Sequence, residues 1–111
     1  MPDFLVTVVI PTLSADARLL ECIGSLSRQS RRDLEVIVVD NSGAGLVRKN
    51  GTAPGARVIE NARNAGFGAA INQGLRASTA PYLATLNDDA VACPRWLEKL
   101  VAAQPKENQA Q

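Results

Sequence analysis

Two runs of β-branched residues constrain the fold more than any other feature of the chain. Residues 6–10 read Val-Thr-Val-Val-Ile and stop at Pro11; residues 36–39 read Val-Ile-Val-Val and stop at Asp40. Neither run alternates apolar with polar residues. A strand with water on one face does alternate, so these runs predict parallel strands covered on both faces. Between them, Leu19, Leu20, Ile23 and Leu26 recur at helical spacing within 15–29, with Ser14 positioned as the helix cap. This is one βαβ unit, with a right-handed crossover expected.

Downstream, 42–57 is rich in glycine and contains Pro54, which predicts a loop. A short strand is expected at 57–60. A helix is expected at 68–78, with Ala69, Ala70, Ile71 and Leu75 inward, then a fourth strand at 82–86. Pro94 suits the first turn of a last helix at 95–103, with Trp96, Leu97, Leu100 and Val101 inward. Residues 104–111 read as a polar tail. The pattern β-α-β-loop-β-α-β-α predicts an α/β fold, a doubly wound parallel sheet ordered 3-2-1-4. The order reverses between the first and fourth strands, and such sheets bind ligands there, outside the carboxyl ends of the strands. Pro11-Thr12, Asp40-Asn41 and Asp88-Asp89 all follow strands at that end.

Composition narrows the function classes. At 111 residues the chain is one domain at most. A net charge of +1 gives no electrostatic case for nucleic acid or an anionic membrane. The absence of histidine removes Ser-His-Asp and Cys-His catalysis and His-based zinc sites. Cys22 and Cys93 lack CxxC spacing, and Cys22 sits among leucines and an isoleucine, which points to core packing and a reducing compartment. The N-terminus lacks the basic region of a signal peptide, and no apolar run spans a bilayer. A cytoplasmic location is expected, with membrane association left to a longer form.

Three constellations carry chemistry. Asp88-Asp89 supplies two hard oxygen donors suited to Mg²⁺ or Mn²⁺ and, through the metal, to a diphosphate; the alternative is a solvated strand end. Asp40 can accept from a base N–H or ribose hydroxyls, or can close the turn Asp-Asn-Ser-Gly. Gly66 and Gly68 allow close approach of a ligand at a helix start, or tight helix–sheet packing. Phe67 between them is expected to pack. The dinucleotide fingerprint GxGxxG fails, because Ile71 occupies the third small position and no glycine follows the first strand.

Taken in order, Val8-Val9-Ile10-Pro11-Thr12, Gln29, Glu35 to Ser42, Asn64 to Gly74 and Leu86-Asn87-Asp88-Asp89 resemble the family 2 inverting glycosyltransferases. The Asn-x-Gly-Phe-Gly stretch is most similar to the rhamnosyltransferase-like members. The resemblance implies a GT-A fold, a UDP- or dTDP-sugar donor, a divalent metal and a place in cell-wall or polysaccharide biosynthesis. It implies that Pro11 and Thr12 line the base and ribose pocket and that Asp40, beside Asn41, accepts from the base. Asp88 would lie near ribose and metal, Asp89 would ligate the metal, and the glycines from Gly66 to Gly68 would flank the diphosphate. Leu13 stands where the family often has Tyr. Residues 1–103 would then be the donor-binding half. Inverting transfer needs a general base, which the family draws from its acceptor half, and the chain is expected to stop short of it. Two other readings are a nucleotide-binding module without catalysis and a module that dimerises through its exposed sheet edge.

Overall fold

Residues 4–103 are described by the structure, a computed structural model; the expected polar tail lies outside the described residues. Strand β1 (Val6–Thr12) lies between β2 (Leu34–Asp40) and β4 (Tyr82–Thr85), and β3 (Arg57–Glu60) pairs with the other side of β2. All pairings are parallel, and the order is β3-β2-β1-β4, as expected. The register brings Thr12 opposite Asp40, whereas β4 pairs with β1 only as far as Val9–Thr85. The carboxyl end of β1 therefore projects past β4, and this offset opens a crevice.

Helices cover both sheet faces. Val8, Ile10 and Val38 pack with Leu19, Cys22, Ile23 and Leu26 of α1 (Ala17–Ser27) and with Leu97 of α4 (Trp96–Ala103). On the other face Val9, Ile37 and Val39 meet Ala70 of α3 (Phe67–Ala77). Each such valine, leucine or isoleucine side chain, when fully removed from water, contributes about 1.5–3 kcal/mol. This two-sided burial explains why the strand runs carry no polar alternation.

The structure revises several local expectations, and Ala69 and Leu75, expected inward on α3, are exposed. The cap of α1 is Asp16, not Ser14: Asp16 Oδ1 accepts from Arg18 N at 2.9 Å, while the Ser14 hydroxyl donates to Asp16 Oδ2. Ala15, with φ 48°, is left-handed and cannot belong to the helix. The predicted loop at 42–57 contains a helix, α2 (Leu46–Asn50), between Gly45 and Gly51, both at φ 63°. Finally, β4 ends at Thr85, short of Leu86.

Glycine 74 brings α3 against the sheet. A Cβ built there would lie 2.5 Å from both Cγ atoms of Val9, which is fully buried. No atom lies within 4 Å of a Cβ at Gly66 or Gly68. The close helix–sheet contact thus belongs to Gly74, and the space beside Gly66 and Gly68 is open. Gly74→Ala is expected to destabilise the fold by about 1–3 kcal/mol through overpacking. Gly68→Ala is expected to raise stability by up to about 1 kcal/mol. Thermal melting of the two variants checks this contrast, and a wild-type melting temperature for Gly74→Ala refutes it.

Candidate functional site

The crevice at the sheet's carboxyl end is a cleft of about 470 Å³. Pro11 to Ser14 line it after β1, Asn41 after β2, and Asn87, Asp88 and Asp89 after β4. Asn64, Gly66 and Phe67 line it at the start of α3. The topology brings together Pro11, Thr12, Asn41, Gly66, Asp88 and Asp89 from the expected site residues. Asp40 and Gly68 do not line the cleft.

Thr12 organises the carboxylate side. Its Oγ1 donates to Asp88 Oδ2 at 2.6 Å and accepts from Ala15 N at 3.1 Å. One Asp88 oxygen is thus held by a neutral donor, a short charge-assisted bond. The left-handed Ala15 is retained from behind: its carbonyl accepts from Asn50 Nδ2 at 3.1 Å and Thr52 Oγ1 at 3.0 Å. A non-glycine residue there costs roughly 1–2 kcal/mol, and these two donors from the end of α2 offset it. Helix α2, not expected from the sequence, therefore fixes the Thr12–Ala15 turn that forms one wall.

Asp40 ends β2 fully buried. Its Oδ1 accepts from Ser42 N and its Oδ2 from Val47 N, both at 2.9 Å. Burial pushes its pKa up, but the hydrogen bonds from Ser42 and Val47 prevail, and the carboxyl lies below the usual range. Of the two alternatives, the geometry matches the turn, and the same carboxylate caps α2. The neighbouring Asn41 does reach the cleft. Its Oδ1 accepts from Asn61 Nδ2 at 2.7 Å and its Nδ2 donates to Gly66 O at 3.2 Å. Asn61 and Gln73 exchange two amide bonds, at 2.8 and 2.7 Å. This amide latch ties the ends of β2 and β3 to α3. Sequence reasoning missed Asn61 and Gln73, because isolated amides carry no periodic or spacing signal.

Cys22 packs in the core as expected, its Sγ donating to Asn87 O at 3.5 Å. Burial pushes its thiol up to about 11, and the charges of Asp88 and Asp89 add to that. Arg18, exposed on α1, is held chiefly by Asp16, with which it pairs at 2.8 Å; the fields of Asp89 and Asp88 reach it as well. It is a cation beside the acidic lip that helical periodicity reads only as a solvated position.

Asp40 generates a pH dependence. A carboxyl depressed in the folded state stabilises fully above its unfolded pKa, about 3.9. That contribution is lost as pH falls through the lower folded value. Asp40→Asn is expected to flatten the acid limb of a stability–pH profile. It should also cost about 1–3 kcal/mol near neutral pH, since an amide cannot accept with both side-chain atoms. Denaturant unfolding between pH 2 and 7 measures both effects, and an acid limb identical to wild type would exclude Asp40 as its source.

Residues 7–110 match the profile of "Glycosyl transferase family 2". An uncharacterized glycosyltransferase of Haemophilus influenzae is 29% identical over 87% of this chain and 32% of its own length. Validoxylamine A glucosyltransferase of Streptomyces hygroscopicus subsp. limoneus is 32% identical over 89% of this chain and 23% of its own. A pre-mycofactocin glycosyltransferase of Mycobacterium tuberculosis is 35% identical over 86% and 20%. The chain thus spans a third or less of these relatives. Among solved structures, S. aureus TarS 1-349 in complex with UDP superposes with a TM-score of 0.74 at 21% identity, covering 89% of this chain and 31% of that one. At that identity the likeness establishes the fold: the four-stranded parallel sheet is the Rossmann-like half of a GT-A fold. Because the profile covers nearly all of its length, the chain belongs to glycosyl transferase family 2.

Proposed function

We propose that the cleft binds a nucleoside diphosphate sugar, with UDP or dTDP as the nucleotide, as the donor side of inverting glycosyl transfer. The observation that carries this reading is the convergence of Thr12, Asn41 and Asp88 from three strand ends into one cleft where the strand order reverses. TarS, of the same fold, has been solved with UDP and with UDP-GlcNAc. In this reading Pro11, Thr12 and Asn41 line the base and ribose, and Gly66 leaves the ligand room. Asp40 and Gly68 act behind the wall, through the β2 turn and the helix start.

A divalent cation fits the donor chemistry. Asp88 and Asp89 are adjacent carboxylates on the lip, and no group of three or more His, Cys, Asp or Glu side chains suited to a metal occurs among the described residues. Mg²⁺ or Mn²⁺ characteristically takes one or two protein carboxylates and completes its shell with water and substrate phosphates. Asp88 and Asp89 would hold it, and when bound it would offset the charge of the departing diphosphate. Thr12 keeps Asp88 oriented through the hydrogen bond to its Oδ2. Transfer also requires a base to take the proton of the acceptor hydroxyl. The charged residues lining the cleft are Asp88 and Asp89, both on the donor side. A cytoplasmic setting agrees with the two free cysteines.

A second reading, a module that pairs with its own copy, rests on the outer edge of β4, which no strand covers among the described residues. Beside it Val6, Tyr82, Leu83, Leu97 and Leu100 line an apolar groove of about 210 Å³. Calorimetric titration of the 111-residue chain with UDP and dTDP, with and without Mn²⁺, separates the readings. The expected result is metal-dependent binding, weakened at least about tenfold by Asp89→Ala, with no sugar transfer by this chain alone. Unchanged affinity in Asp89→Ala removes that residue from the site. No nucleotide binding, together with a dimer in sedimentation at micromolar concentration, supports the second reading.

A further inference from the structure

We propose that Phe67 is the stacking platform for the planar base of the nucleotide. The inference rests on the cleft reading above and deepens it by naming the surface that meets the base. Phe67 was expected to pack, yet it is 60% exposed and lines the cleft. None of the other aromatic residues, Phe4, Tyr82 and Trp96, lines the cleft; Trp96 packs against the core and Tyr82 lines the groove at the β4 edge. The glycines on either side of Phe67 add no side chain of their own beside the ring. The position is also firm. Phe67 is the first residue of α3, and Asn41 holds the carbonyl of the preceding Gly66.

Its place in the fold selects the base over the diphosphate. Helix α3 packs on β1 and β2, and its start is tied to Asn41 at the end of β2. The carboxylates follow β4, on the far side of β1. A ligand with a planar ring at one end and an anion at the other would lie across β1, ring toward Phe67 and anion toward Asp88 and Asp89. Leu13, 56% exposed on the same cleft, adds an aliphatic surface without a π-face. Stacking tolerates any base, so Phe67 contributes affinity for nucleotides as a class.

The test compares UDP with inorganic pyrophosphate, each titrated with Mn²⁺ into the full chain and its Phe67→Ala, Phe67→Leu and Phe67→Tyr variants. Phe67→Ala is expected to weaken UDP binding roughly ten- to a hundredfold, the range for loss of one base–aromatic stack. Manganese pyrophosphate, which has no base, is expected to bind all four proteins equally. Phe67→Tyr should recover the UDP affinity and Phe67→Leu should not. Because the ring is exposed, all variants are expected to melt with wild type. Wild-type UDP affinity in Phe67→Ala overturns the proposal. So does an equal loss of pyrophosphate affinity, which would put the ring at the anion. Failure of the wild-type chain to bind any nucleoside diphosphate overturns the donor-cleft reading and this inference with it.

Discussion

Burial of β1 on both faces is the constraint from which the remaining structure follows. Val8, Val9 and Ile10 are each fully removed from water, and successive side chains serve opposite layers. A strand used in this way has no lateral surface to offer a ligand, so its chemistry is confined to its end. There Thr12 turns toward the carboxylate of Asp88, because β1 overruns β4 and the chain after Leu86 comes back alongside it. Strand offset, more than any single residue, creates the cleft.

The polar residues near the strand ends divide into two kinds by what their atoms do. Some close backbone ends at long range. Asp40 caps α2, and Gln29 does the same for α4: its Oε1 accepts from Leu97 N at 3.0 Å and its Nε2 donates to Cys93 O at 2.6 Å. Ser25 accepts from Ala92 N at 3.0 Å. Buried backbone donors are costly without partners, so these side chains stabilise the fold. Others, Asp88, Asp89 and Asn41, keep atoms at the cleft surface. Asp40 and Asp88 occupy comparable places after parallel strands, and only the three-dimensional path of the following chain assigns them to different tasks.

That distinction marks what was legible in the sequence. The parallel sheet and its order could be read from Val6 to Ile10 and Val36 to Val39, because an absence of alternation has one main physical cause. The Asp88-Asp89 pair and Thr12 could be placed in one crevice by topology alone. Helix α2 could not be read: its five residues lie between two glycines, and its cap comes from Asp40, upstream of the turn. The start of α1 was misread because Ser14 and Asp16 are both good caps, and the choice depends on the left-handed Ala15, held by Asn50 and Thr52 from a distant segment. Phe67 was misread for a related reason. An aromatic residue between glycines has the same local signature whether it faces a core or open space.

The glycine at position 74 has a mechanical consequence. Where α3 meets Val9 there is no side chain between helix backbone and strand, so the helix comes closest to the sheet near its carboxyl end. Phe67 lies about two turns away, roughly 10 Å along the axis. A stiff rod transmits any tilt at that contact as a larger displacement at its tip, which Ala70 on the sheet and Asn41 at the helix start oppose. The ring of Phe67 is therefore carried into the cleft by a rod supported at both ends, by a bare backbone against Val9 and by the Asn41 amide on Gly66 O.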